Sequence, residues 1–229
     1  MESIVNYNGR LLVTAHAGCM NTPINSLESI EVSLDYEVDI VELDVRFTDT
    51  LVPVLSHDEI KNNKKDYIKL ENAFKLLCKN ENILVNLDMK EIDGIVNIEK
   101  LIDKYNMKNR VFLTGIELES IERLNTYEIK IPYFINYELD KSRMNDLNYL
   151  KDIRNKICEK NALGINLNFE FLTKELVNLF HENNKLVAVW TVDDESTMNK
   201  VINLNVDSIT TNNIDILLDE IGRRKNGAF

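Results

Sequence analysis

Short β-branched, apolar segments alternate with longer amphipathic ones along the whole chain, and this alternation restricts its architecture more than any other feature. The strand-like runs are 11–17, 39–45, 83–90, 111–114, 131–136, 163–168, 185–192 and 206–211. Helical patterns fill the intervals at 26–36, 70–80, 95–106, 117–126, 144–160, 172–183, 195–204 and 213–223. Eight such units predict an α/β protein, a single (β/α)8 TIM-type barrel that takes residues 1–229 as one domain. A doubly wound open sheet is the competing arrangement, because alternation in sequence does not itself demand closure. No Gly/Ser linker, low-complexity tract or shift in composition marks a domain boundary.

One stretch interrupts the alternation. After the second strand, Arg46-Phe47-Thr48-Asp49-Thr50-Leu51-Val52-Pro53-Val54-Leu55-Ser56-His57-Asp58 reads as an extra hairpin-like loop. Pro53 donates no backbone hydrogen bond, so its strand belongs at an edge. In a barrel, a loop that follows a strand lies at the catalytic face, which is where this spacing puts His57.

Buried parallel strands usually read as continuous apolar runs, and three strands here do not. Glu42 and Asp44, two residues apart, share one face of the second strand. Asn86, Asp88 and Lys90 share one face of the third, while Val85, Leu87 and Met89 point the other way. The first strand ends at His16. Glu42, Asp44 and Asp88 converging in a barrel mouth would repel one another unless a cation or protons intervene. Their hard oxygens suit one divalent cation, Mg²⁺ or Ca²⁺, better than Zn²⁺. The alternative is ordinary ion pairing with Lys90 and Arg46. Of the three histidines, His16 and His57 fall at this rim and are candidates for an acid/base pair. His181, within a helical stretch, reads as solvated or capping.

Charge narrows the partners. Lys and Arg number 27 against 38 Asp and Glu, a formal net charge of −11. Such a chain repels phosphate backbones and anionic bilayers, so neither nucleic acid nor a stable membrane anchor is expected. Cys19, Cys78 and Cys158 are odd in number and widely spaced, as free thiols of a reducing compartment are. Met1-Glu2-Ser3-Ile4 lacks the basic start of a signal peptide, and the expected location is cytoplasmic.

In order along the chain stand His16-Ala17-Gly18, Pro23-Ile24-Asn25-Ser26, Glu42-Leu43-Asp44-Val45, Thr48-Asp49-Thr50 and His57-Asp58. Then come Leu87-Asp88-Met89-Lys90, Trp190-Thr191-Val192 and Val206-Asp207-Ser208-Ile209-Thr210-Thr211. This series resembles the glycerophosphodiester phosphodiesterase family. The resemblance implies a TIM-type barrel and metal-dependent hydrolysis of a small phosphodiester to glycerol phosphate and an alcohol. It implies His16 and His57 as the acid/base pair and Glu42, Asp44 and Asp88 as metal ligands. Lys90 would contact the phosphate and Trp190 line the pocket, although a strand-end Trp also serves as plain core.

The departures bear on the same site. Ala17 stands where the family has arginine, Ile24 replaces a glutamate, Asp88 is one methylene short of the usual glutamate, and Thr50 replaces a turn glycine. Arg46 either substitutes for the missing arginine toward substrate or is a solvated loop charge. Asn25-Ser26-Leu27-Glu28 fits a divergent His-Ala-Gly branch and also reads as a helix start, with Asn25 as N-cap and Glu28 closing a capping box. Two rival readings remain: a lyase-like phospholipase D of the same superfamily acting on lysolipids, and a weakened barrel that binds a phosphorylated ligand.

Overall fold

A computed structural model describes residues 9–61 and 66–225. The reading of Met1–Ile4 and the outer limits of a 1–229 domain therefore lie outside the described residues. Eight parallel strands close on themselves: β1 (Leu12–Ala15), β2 (Ile40–Phe47), β4 (Leu84–Met89), β5 (Val111–Ile116), β6 (Tyr133–Asn136), β7 (Gly164–Asn168), β8 (Leu186–Trp190) and β9 (Ser208–Thr211). Closure comes through β1, which pairs in parallel with β2 at Thr14↔Ile40 and with β9 at Thr14↔Thr210. The open-sheet alternative is thereby excluded. The helices are α1 (Leu27–Asp35), α2 (Leu70–Leu77), α3 (Ile95–Lys104), α4 (Ile121–Asn125), α5 (Leu147–Cys158), α6 (Lys174–His181), α7 (Glu195–Asn203) and α8 (Ile214–Lys225).

Period-two alternation sorts each strand into an outer and an inner face. Outward, Val13, Leu43, Val85, Leu87, Leu113, Ile165 and Val187 are almost wholly buried in one continuous apolar layer with the helices. Each such side chain contributes about 1.5–3 kcal/mol relative to exposure. The helices answer with matching stripes; in α2, Leu70, Ala73, Phe74 and Leu77 are the buried residues, at helical spacing. Inward, the lower layer is apolar: Leu12, Ile40, Leu84, Phe112, Phe134 and Ala188 form a separate core that fills the barrel floor. Above it come Thr14, Glu42, Asn86, Thr114, Asn166 and Thr210, all buried and all polar. One step further on, the strand ends carry His16, Asp44 and Asp88.

The extra hairpin is real. β3 (Pro53–Leu55) runs antiparallel to β2, pairing Val45↔Leu55 and Phe47↔Pro53. It takes the side of β2 that β1 leaves after Val41, so Pro53 sits on an edge as expected. The left-handed residue in the connecting turn is Leu51 (φ 58°), not Thr50.

The helix start at α1 differs from expectation by one residue. Ser26, not Asn25, is the N-cap, its side chain accepting from Ser29 N, and Glu28 falls outside the capping-box position. Asn25 is left-handed (φ 57°), and its side chain is committed elsewhere. His181 closes α6 and bonds Asp207 Oδ2 at 2.9 Å, an oxygen that also accepts from Val187 N, so it ties helix to sheet. All three cysteines are free, with Cys19 buried. No helix among the described residues is long and apolar enough to cross a membrane.

Candidate active site

The C-terminal ends of the strands open into a cleft of about 270 Å³ whose lining includes His16, Glu42, Asp44, His57, Asp88, Lys90 and Trp190. Seven of the eight residues singled out from sequence thus share one cavity. Glu42, Asp44 and Asp88 each offer a carboxylate oxygen, and these atoms all lie within 4.8 Å of one another. The register explains the meeting: β2 and β4 pair in parallel with Asp44 directly beside Asp88, and Glu42 one inward step below.

Each carboxylate is held by a second partner. Glu42 Oε2 accepts from Ala17 N at 2.9 Å, so Ala17 serves the site through its backbone. Asn25 clamps Asp44 twice, donating Nδ2 to Asp44 Oδ2 at 2.8 Å and accepting from Asp44 N at 3.1 Å. Thr114 Oγ1 lies 2.9 Å from Asp88 Oδ1 and from Asn86 Oδ1, within reach of its one proton.

The ion-pair alternative holds in part. Lys90 Nζ bridges Asp44 Oδ1 at 2.8 Å and Asp88 Oδ2. Burial opposes the lysine's charge, but the adjacent Asp88 and Asp44 outweigh it and hold the ammonium well above its ordinary range. One ammonium does not neutralise three acids. Burial first, then the charges of Asp44 and Asp88, push the Glu42 carboxyl well above the ordinary glutamate range. A cluster short of positive charge, built only from hard oxygens, fits one divalent cation of the Mg²⁺ or Ca²⁺ kind.

The two histidines differ in their surroundings. His16 is half-buried at the end of β1, and its Nδ1 lies 2.9 Å from Asn212 Oδ1. His57 is 64% exposed in its side chain and pairs through Nδ1 with Asp58 Oδ1 at 3.1 Å, a contact that draws the Asp58 carboxyl below its usual value. Its loop is pinned at both sides: Ser56 N donates to Asp44 O at 3.1 Å and Arg46 Nε to His57 O at 3.0 Å. Arg46 also lies 3.9 Å from Glu91, and it is absent from the lining of the acidic cleft. Trp190 ends β8 at 37% exposure, on the cleft wall rather than in the core.

Several supporting residues went unread in the sequence: Asn25 as a clamp, Thr114, Asn212 and Asp193. For Thr114 the available signal was a polar residue at an inward strand position, where apolar residues are the rule; Asn25, Asp193 and Asn212 lie outside the strands and gave none.

Gly115 also serves the cluster. Its φ is +72°, and a Cβ there would meet Met89 O at 2.3 Å and Asp88 Oδ1 at 3.0 Å. Gly115→Ala is expected to lower stability by about 2 kcal/mol or more, through left-handed strain and the clash with β4. Turnover should fall with it as Asp88 is displaced. Denaturant unfolding checks the first, and wild-type stability in the variant would refute the close approach.

The profile of a known family matches residues 60–216, more than half of the chain: the glycerophosphoryl diester phosphodiesterase family. The chain belongs to that family. It is a phosphodiesterase. Curated glycerophosphodiester phosphodiesterases are its relatives: one from Bacillus altitudinis at 23% identity, covering 87% of this chain and 93% of its own, and one from Caldanaerobacter subterraneus subsp. tengcongensis at 24%, covering 95% and 100%. Among solved structures, a phosphodiesterase of Oleispira antarctica in complex with its product sn-glycerol-3-phosphate shares the fold. Its TM-score is 0.74 at 16% identity, over 92% of this chain and 96% of that one. The family match begins at residue 60, beyond His16, Glu42, Asp44 and His57.

Proposed function

We propose that this chain hydrolyses glycerophosphodiesters to glycerol phosphate and an alcohol by two-histidine acid/base chemistry beside one divalent cation. The observation that carries the reading is the convergence of three carboxylates, one lysine and two histidines on a single cleft at the catalytic end of a barrel. Glu42, Asp44 and Asp88 would hold Mg²⁺ or Ca²⁺, which when bound supplies positive charge to a phosphate oxygen. Lys90 adds a second positive charge beside the same acids. One of His16 and His57 takes the proton of the nucleophile, and the other protonates the departing oxygen. Arg46 holds the His57 loop by its backbone, and Trp190 supplies an apolar wall for the alcohol. The same proposal treats residues 1–229 as one domain working in the cytoplasm on a small soluble diester, without nucleic acid or membrane anchor. The net charge of −11 and the three free thiols support it.

Incubating the full chain with glycerophosphocholine and Mg²⁺ or Ca²⁺ should release free glycerol phosphate, read by phosphorus NMR. Cyclic phosphate formed from a lysolipid, with no hydrolysis of the deacylated diester, would favour the lyase instead. Metal-independent ligand binding without turnover would favour a binding barrel.

A further inference from the structure

The imidazole of His16 is the start of a hydrogen-bonded series that no acid/base scheme requires. Its Nδ1 faces Asn212 Oδ1 at 2.9 Å. On the other side of that amide, Asn212 Nδ2 donates to Asp193 Oδ2 at 2.8 Å. Asp193 is itself fixed: its Oδ1 accepts from Asn212 N at 2.7 Å and from Thr211 Oγ1 at 3.2 Å, and its backbone carbonyl accepts from Asn213 Nδ2 at 2.8 Å. These groups lie at the ends of β8 and β9, directly after the strands that form the barrel wall.

The chemistry of the series leaves one assignment. A carboxylate only accepts, so the amide edge facing Asp193 must be the NH₂. The edge facing His16 is then the carbonyl oxygen, which also only accepts. Nδ1 must therefore carry the ring proton, and in the neutral ring Nε2 keeps its lone pair. We infer that Asn212, aligned by Asp193, is a positioning residue that holds the proton on His16 Nδ1 and so makes Nε2 the atom through which His16 exchanges a proton in the reaction. The inference rests on the hydrolysis proposed above and goes beyond it by naming the ring atom of His16 that takes part and the residues that fix it. With His16 as the base, the attacking water gives its proton to Nε2 as its oxygen bonds to phosphorus, the ester P–O bond breaks, and the departing oxygen takes a proton from His57. With the roles exchanged, His57 takes the proton of the water and Nε2–H supplies one to the departing oxygen. A neutral amide oxygen sets the tautomer without placing a charge against the ring, as a carboxylate in the same position would.

The test has two arms. Nitrogen-15 NMR of the full chain, with His16→Gln to assign the signals, should find the neutral His16 ring protonated on Nδ1 and not on Nε2. In Asn212→Leu that preference should be lost, with kcat on glycerophosphocholine falling about 10²-fold and KM moving less than about threefold. Asn212→Asp alone sets two carboxylates against each other and should be similarly impaired. The swap Asn212→Asp with Asp193→Asn restores a donor behind the new carboxylate and should recover about tenfold over that single variant. A purely structural role would instead lower activity only as far as folded protein is lost, and the swap would not rescue kcat. An Nε2–H tautomer in the wild type, or an Asn212→Leu variant with unchanged spectrum and kcat, overturns the inference. A wild type that turned over no diester would overturn the proposed activity and the proton-exchange role with it, while the nitrogen spectra would still decide the tautomer.

Discussion

His16→Ala is expected to lower kcat for glycerophosphocholine by about 10²–10⁴-fold, the usual contribution of a positioned proton-transfer group. His57→Ala should do the same, because one group must remove a proton and another must deliver one. The two variants should differ in stability. The His57 side chain projects largely into solvent, with the exposed Asp58 as its hydrogen-bonding partner among the described residues, so its loss should leave Tm unmoved. His16 is half-buried against Asn212, and removing it leaves an amide oxygen without its partner. That costs about 1 kcal/mol, or about 2–4 °C in a chain of this size. Both variants should still take up the divalent cation, since neither belongs to the carboxylate cluster. Steady-state kinetics with thermal melts separates the two effects. Turnover near the wild-type rate in either variant would remove that histidine from the mechanism.

Chelation should abolish turnover, and added Mg²⁺ or Ca²⁺ should restore it. The same cluster yields a stability result of opposite sign. Burial, with Asp44 and Asp88 beside it, raises the carboxyl of Glu42 in the folded protein. A glutamic acid raised on folding is neutral in both states at low pH. As pH climbs past its ordinary value of 4.5, the unfolded chain ionises first, and stability falls until the folded group ionises too. Glu42 should therefore cost the metal-free protein stability on going from acid toward neutral pH, a loss that Glu42→Gln lacks. Glu42→Gln removes that penalty, and at neutral pH in EDTA it should melt about 2–4 °C higher than wild type, equivalent to about 1 kcal/mol. With saturating cation the order should reverse, because the ion binds only the folded wild type tightly and stabilises it by mass action. Melting curves with and without EDTA test both halves. A wild-type Tm and activity indifferent to chelation and to both cations would end the metal reading.

The barrel could be read in the sequence because its two periodicities are local. Glu42 and Asp44, or Asn86 and Asp88, declare a shared face by spacing alone, and Val85, Leu87 and Met89 declare the opposite one. Closure could not be read, since it depends on β1 meeting both β2 and β9. Asn25 illustrates a different obstacle. An Asn before a helix serves equally as a cap or as a side-chain clamp. Asp44, nineteen positions away, decides between them by presenting both an acceptor and a donor to it. Asn212 and His16 are 196 residues apart and are brought together by the β1–β9 pairing. Arg46 has the parity of an inward residue, but β2 there has passed the end of β1 and borders β3 instead. Its guanidinium reaches the His57 carbonyl rather than joining the acid cluster.

The plug of Leu12, Ile40, Leu84, Phe112, Phe134 and Ala188 beneath the polar layers has a kinetic corollary. It makes the chamber a cul-de-sac. Arriving and departing molecules must share one doorway at the rim, so a lingering product bars the next visitor, and the pace of exit becomes part of the rate of work.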